Sequence, residues 1–314
     1  MNILFFAPSF YQYGSIIKTG IESDGYFVRS YYYCSNWLYK LCILLGVSCL
    51  ARFIKYNFFK NLKKQIIRDN QSYDTVLVIR GSEIPEWFYV FLKGKYRKAR
   101  FILYLWDEIS LDLGEKDILC YFNKVLSFSK VDCEKYGFLF RPMFYNDSIE
   151  FRQKDKKHDL LFIASYKPSR FYFLKDLIRY NPHLNIYAVL RCSVFTFLRN
   201  LEHIKYMKYF KFSSIPYRVM INMLNDSKAC IELPNPGQYA ITTRPVEAMS
   251  VNTKLITTST AITSYDFFDE DNILIIDEKI PIINQFWLNS GFRKIPESIM
   301  KNYSLSFFVR DILS

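Results

Sequence analysis

Short apolar runs recur along the chain, separated by polar stretches rich in turn residues, and most are too short to be buried helices. In the first half they fall at residues 2–7, 74–80 (DTVLVIR), 100–106, 125–129 and 138–144, while residues 26–33 alternate aromatic with polar positions. Continuous apolar runs of this length suit the strands of a parallel sheet covered on both faces. Between them lie stretches fit for helices at residues 15–23, 37–70 with a break near Gly46, 84–92 and 130–136. Strand alternating with helix predicts βαβ units and a doubly wound α/β sheet.

Residues 146–157, NDSIEFRQKDKK, have the polar and charged character of a linker. The strand and helix pattern then restarts: strand 158–164, helix 169–180, strand 185–190, an unpatterned stretch 195–209, helix 217–225, and three short strands at 229–233, 254–258 and 272–276. A helix near 283–288 and a terminal helical segment over 296–313 complete the chain. Two domains are expected, residues 1–150 and 151–295, with residues 296–314 as a separate helical segment; 314 residues are comfortable for that division.

Between the first two of those three strands lies a loop with Pro234, Pro236 and Gly237, followed by Thr242 and Thr243 as candidate N-caps of a helix beginning near Arg244. Ligands of open α/β sheets gather beyond the carboxyl ends of the strands, so the polar residues just past each strand are the candidates. In the second half these are Ser165, Lys167 and Arg170, then Arg191, then the loop from Gln238 through Thr242, Thr243 and Arg244 to Glu247. A helix that starts straight after a strand aims unpaired N–H groups at whatever sits over the sheet, which suits a phosphate. Arg244 and Glu247 share a helix face, either to serve a ligand or to pair with each other across one turn. In the first half the post-strand residues are Arg80, Ser82 and Glu83, then Asp107 and Glu108.

Composition narrows the classes. The chain has 42 basic and 30 acidic residues, a net charge of +12, which draws it to polyanions. The basic residues are scattered, densest at residues 154–157, and accompany no finger, RNP or helix-turn-helix pattern, so nucleic acid is not expected as a partner. Seven cysteines without a CxxC pair and three isolated histidines offer no zinc spacing and fit a reduced, cytoplasmic setting. No metal site is expected, and Asp266 and Asp269 read as turn residues. The start, MNILFFAPSF, lacks a basic leader and reads as a first strand. The apolar run 41–51 is too short to span a bilayer, yet Lys40, Arg52, Lys55 and Lys60 flank it, so it is either a core helix or an interfacial contact.

The ordered set Gln238, Thr242, Thr243, Arg244, Glu247 and Ala248, then KLITTS and YDFF before NILIID, resembles the C-terminal donor-site signature of bacterial glycosyltransferases that build capsule and lipopolysaccharide. Upstream, YLWD at residues 104–107, SFSKVDCEKYG, and RPMFY at residues 141–145 extend the similarity over most of the chain. The resemblance implies GT-B architecture, two Rossmann-like domains facing across a cleft, with the donor on the C-terminal side, the acceptor on the N-terminal side, and the terminal segment crossing back to the first domain. It implies that Glu247 holds the ribose of a nucleoside-diphosphate sugar, used as co-substrate without metal or other cofactor, with Arg244 in the same signature. Lys167 and Arg170, placed just past the first strand of the second half, are the cations expected to neutralise the diphosphate.

The acceptor would be a glycan or lipid-linked glycan at the inner membrane surface, with the protein peripheral on its cytoplasmic face. An inverting transfer needs a proton acceptor, for which Asp107 and then Glu83 are the candidates. One departure is Tyr239, which stands where retaining members carry a second glutamate. A catalytically silent nucleotide-sugar binder in an assembly complex is the alternative.

Overall fold

The structure is a computed structural model that describes residues 1–9, 12–33, 37–110, 112, 114–149, 155–235 and 237–314. Pro236 and part of the expected linker, residues 150–154, lie outside the described residues. The chain forms two compact units, Met1–Pro142 with Leu305–Ser314, and Met143–Ser304.

Unit 1 opens with β1 (Asn2–Pro8), α1 (Tyr13–Ser23) and β2 (Phe27–Tyr33). The long helical stretch divides into α2 (Trp37–Leu44) and α3 (Ser48–Arg68) at Gly46, whose φ of 72° an L side chain rarely adopts. Next come β3 (Thr75–Ile79), α4 (Glu86–Lys95), β4 (Arg100–Leu105), α5 (Glu115–Ile118) with a 3-10 turn at Leu119–Tyr121, β5 (Lys124–Ser127), α6 (Lys130–Tyr136) and β6 (Leu139–Phe140). All pairings are parallel, in the order β2-β1-β3-β4-β5-β6. The strand faces bury Leu4, Phe6, Val76, Val78, Phe101 and Leu103 in one core with Phe59, Phe88 and Leu92 from the helices.

Two expectations shift here for local reasons. α4 begins at Glu86, not at residue 84, because Pro85 holds Ile84 out of helical backbone and itself sits at φ −69°, ψ 146° as the residue before the helix. The run 138–144 contributes only Leu139–Phe140 as a strand.

Unit 2 contains β7 (His158–Ser165), α7 (Pro168–Tyr180), β8 (Ile186–Arg191), α8 (Val194–Leu198), a 3-10 helix at Leu201–Tyr209, β9 (Phe210–Lys211), α9 (Tyr217–Asn225), β10 (Ser227–Glu232), α10 (Thr243–Ser250), β11 (Lys254–Thr257), a 3-10 turn at Thr260–Ser264, β12 (Ile273–Ile275), α11 (Gln285–Asn289) and α12 (Glu297–Lys301). Its sheet is again parallel, ordered β12-β11-β10-β7-β8-β9. Counted from the start of the unit this is 3-2-1-4-5-6, the order of dinucleotide-binding Rossmann sheets.

The terminal helical segment is two helices, α12 and α13 (Leu305–Leu313), and the second belongs to unit 1. Phe308 of α13 meets Tyr104 edge to face at 4.9 Å, and Lys124 donates to the Asp311 carbonyl at 2.9 Å, capping the helix end with a cation. Among the described residues no helix is long and apolar enough to cross a membrane.

Candidate functional site

In each sheet the connections leave two neighbouring central strands in opposite directions, and it is beyond the carboxyl ends of strands at such a switch point that open α/β sheets bind their ligands. In unit 2 those strands are β7 and β10. Past β7, Ser165 is exposed, Lys167 occupies the N-cap position of α7, and Arg170 lies in its first turn. Arg170 donates to the Ser165 carbonyl at 3.1 Å, the Leu233 carbonyl at 2.9 Å and Asn235 Oδ1 at 3.3 Å; Lys167 Nζ reaches the same Asn235 oxygen at 2.6 Å. Asn235, which sequence reasoning passed over, therefore joins the loops after β7 and β10 and gathers two cations at the switch point.

The other expected donor groups fall around this edge. Arg191 lies in register with Ser165, and its carbonyl accepts from the Tyr166 amide at 2.8 Å. Gln238 serves its own loop, accepting from the Asn235 amide at 3.2 Å and donating to the Ala240 carbonyl at 3.2 Å. Thr242 caps α10, its hydroxyl oxygen accepting from the Arg244 amide at 3.2 Å, and Thr243 opens the helix half-buried.

Thr242 is fixed in turn by Glu232, a second residue not singled out from sequence. Its hydroxyl donates to Glu232 Oε1 at 2.6 Å, and its amide to the same oxygen at 3.2 Å. Glu232 is buried at the end of β10, and burial raises its carboxyl pKa above the usual range. A buried carboxylate thus ties the start of α10 to the end of its strand.

Arg244 and Glu247 adopt the pairing across one helical turn, Nη1 to Oε2 at 3.4 Å, but away from solvent: Glu247 is 0% exposed and the Arg244 side chain 19%. Arg244 Nη1 also contacts the Met220 sulfur. Tyr217, whose hydroxyl accepts from the Asn146 amide at 3.4 Å, lies close enough to feel the Glu247 charge, and burial first, then that charge, raises its pKa. In this arrangement Glu247 stands behind Arg244 and pairs with it, and the edge that solvent reaches is made by Ser165, Lys167, Arg170, Asn235, Gln238 and Thr243, with Arg244 partly exposed beside them.

In unit 1 the switch point falls between β1 and β3. Arg80, at φ 51°, and Gly81 turn the chain sharply past β3. A Cβ on Gly81 would lie 2.4 Å from the Tyr89 hydroxyl oxygen and 2.5 Å from Ile118 Cδ1, so only glycine lets the backbone pass. Arg80 Nε reaches Asp107 Oδ2 at 3.1 Å and Asp112 Oδ2 at 3.4 Å, and the Ser82 hydroxyl donates to Asp112 at 2.6 Å. Behind them Glu115, fully buried, accepts from the Gly81 and Ser82 amides at 3.2 and 3.3 Å, and burial pushes its pKa up to about 7.

Burial also raises Asp107, against the pull of Arg80, although its side chain keeps 39% of its surface exposed. Glu83 is placed apart from this cluster, paired with Lys55 at 3.4 Å and the Tyr39 hydroxyl at 3.2 Å. Trp106 packs on Tyr13 and Tyr104, with ring centroids 5.3 and 6.0 Å away, which fixes the backbone leading into Asp107. Asp266 accepts from Tyr303 at 2.5 Å and Asp269 pairs with Arg293 at 3.2 Å, so the two sit in separate structural contacts.

No protein-family model and no curated protein matches the sequence. Solved structures do match the fold. Staphylococcus aureus MnaA, in its co-structure with UDP, aligns at TM-score 0.60 and 10% identity over 99% of this chain and 94% of that one. AviGT4, a glycosyltransferase involved in avilamycin A biosynthesis, aligns at 0.56 and 8% identity over 100% and 96%. A mutant of S. aureus TarM in complex with fondaparinux, α-GlcNAc-glycerol and UDP aligns at 0.51 and 12% identity, covering 76% of this chain and 54% of its own.

The chain is similar in fold to GT-B glycosyltransferases. At such identities the likeness is in architecture: two six-stranded parallel sheets in two Rossmann-like units.

Proposed function

We propose that the chain is a glycosyltransferase that moves a sugar from a nucleoside-diphosphate donor to a growing cell-surface glycan of the capsule, O-antigen or lipopolysaccharide-core class. The observation that carries the reading is the edge at β7 and β10, where Asn235 gathers Lys167 and Arg170 beside the Thr242-capped start of α10. A diphosphate there meets two cations and the helix's first N–H groups. Its charge grows as the glycosidic bond breaks, so these groups bind the transition state more strongly than the ground state. Ser165, Arg191, Gln238 and Thr243 line the nucleotide. The sugar nucleotide is the co-substrate, with no metal or other cofactor in the reading.

The acceptor hydroxyl must lose a proton, and Asp107 is the group suited to take it: partly exposed, raised by burial, and held by Arg80. Glu83, engaged by Lys55 and Tyr39, is the second candidate. The glycan class rests on the sequence resemblance. A peripheral place on the inner membrane is supported by α2, α3 and the turn between them, which expose Ile43, Leu45, Leu50 and Phe53 beside Arg52 and Lys60. The second reading, a nucleotide-sugar binder without turnover, is favoured by the engagement of Asp107 with Arg80.

Titration with a panel of nucleoside diphosphates, followed by donor-turnover assays, tests both readings. Tight binding with turnover is expected; binding without turnover selects the silent binder, and no binding overturns both. Glu247→Gln separates the two roles for that residue. A ribose ligand loses affinity for ribonucleotides and leaves 2′-deoxy analogues unaffected, whereas a residue that orients Arg244 weakens both alike.

A further inference from the structure

The unpatterned stretch after β8 has a period of its own. Residues 201–209 read LEHIKYMKY, three triplets each of an aliphatic residue, a charged residue and an aromatic ring. They form a 3-10 helix with a kink at Tyr206, and in a 3-10 helix side chains three apart lie in line. The triplets therefore make three ridges. His203, Tyr206 and Tyr209 face inward: His203 is buried among Phe171, Phe197 and Phe210, and the two tyrosines pack against the unit's core.

His203 also pins the segment, its Nδ1 donating to the Phe197 carbonyl at 2.8 Å and its Nε2 accepting from the Tyr166 hydroxyl at 3.0 Å. The outward ridge is Leu201, Ile204 and Met207, and Leu201 keeps 79% of its surface exposed. Leu198, Phe195 and Val194 of the adjoining α8 extend the apolar surface. Apolar side chains on the surface of a soluble domain are normally scattered singly, and these six fall within residues 194–207.

The third ridge gives the sign of the partner. Lys205 and Lys208 run beside the apolar ridge, Arg199 lies over the Phe195 ring at 4.6 Å, and the one acid of the segment, Glu202, is taken by Lys175. An apolar ridge flanked by cations is the pattern of an element lying in the interface of an anionic bilayer, with aliphatic side chains below the phosphates and ammonium groups among them.

We infer that residues 194–212 are a membrane-docking surface of unit 2, separate from α2 and α3 of unit 1, and that the partner is an anionic lipid bilayer. The segment leaves the carboxyl end of β8, the neighbour of β7, so docking brings the donor edge of unit 2 to the headgroup layer. If the glycosyltransferase reading holds, a lipid-linked acceptor would be met there; the docking itself does not depend on that reading.

The test is co-sedimentation of the full chain with phosphatidylcholine vesicles, with and without about 30% phosphatidylglycerol. Leu201→Ser/Ile204→Ser/Met207→Ser is expected to lower the partition at least about tenfold with an unchanged melting temperature, since all three side chains are exposed. Lys205→Gln/Lys208→Gln should lower it on anionic vesicles alone. Wild-type partition by the triple variant, or no partition by the wild type, overturns the inference. So does a wild-type dimer that the triple variant converts to monomer, because the ridge then covers another copy of the chain. Nucleotide affinity, measured on the same variants, reports on the donor site independently.

Discussion

The two units finish their sheets with opposite charge. In unit 2 the carboxylates near the switch point, Glu232 and Glu247, are buried behind the loops, and Lys167 and Arg170 stand at the edge. In unit 1 the Arg80 cation is engaged by Asp107 and Asp112, with Glu115 buried beside them. Topology brings both loop sets to equivalent places, and the side chains left uncovered decide what each place can do. On the proposed reading, one edge holds an anion and the other holds or accepts a proton.

The sharpest way to break this contrast is at turnover. Asp107→Asn should lower transfer by about 10²–10⁴-fold while nucleotide affinity stays the same, measured by steady-state kinetics beside direct titration. Full activity would remove the acidic edge from the chemistry. Next is the buried pair of unit 2: Arg244→Ala leaves the enclosed Glu247 charge without its cation and should cost about 3–5 kcal/mol in denaturant unfolding. An unchanged unfolding midpoint would contradict the placement of Glu247 behind Arg244.

Glu115 tests the proton-holding side. Its folded pKa of about 7 lies above the ordinary 4.5, so the stability it contributes is complete below 4.5 and is lost as pH rises through about 7. Glu115→Gln keeps one of the two amide bonds and loses the titration, so its stability relative to the wild type should shift in its favour by about 3 kcal/mol between about pH 4 and about pH 8, whatever the fixed cost of the lost bond. Parallel curves across that range would refute a raised Glu115. The smallest effect expected is from Gly81→Ala, about 1–3 kcal/mol from crowding against Tyr89 and Ile118. A neutral result in thermal melting would show that the loop past β3 can shift.

Much of the architecture was legible because parallel βαβ units write themselves locally. The bounds of α6 and α9 are those read from the sequence, and Thr242 caps α10 as its position before the helix suggests. Where local signals are thin, the structure departs from the sequence pattern. α5 is four residues long, too short for periodicity, and the stretch 201–209 repeats every three residues, which templates of two and 3.6 do not detect.

The site was legible as a set of positions beyond strand ends, but not as a network. Asn235, Glu232 and Glu115 matter through partners that lie far off in the chain or on another element, such as Arg170 for Asn235 and Gly81 for Glu115. Nothing in the local sequence tells that Glu247 is wholly covered; that follows from how α9 and α10 pack, with Met220 and Tyr217 beside the pair.

The most direct test of the charge contrast is a calorimetric titration of nucleoside diphosphates into the wild type, Lys167→Ala/Arg170→Gln and Arg80→Gln, each checked for folding. Loss of two charge-assisted contacts should weaken binding by about 30-fold or more in the unit 2 variant, and Arg80→Gln should bind as the wild type does. Undiminished affinity in the unit 2 variant, or a comparable loss from Arg80→Gln alone, would contradict the assignment of the anion to the β7 and β10 edge.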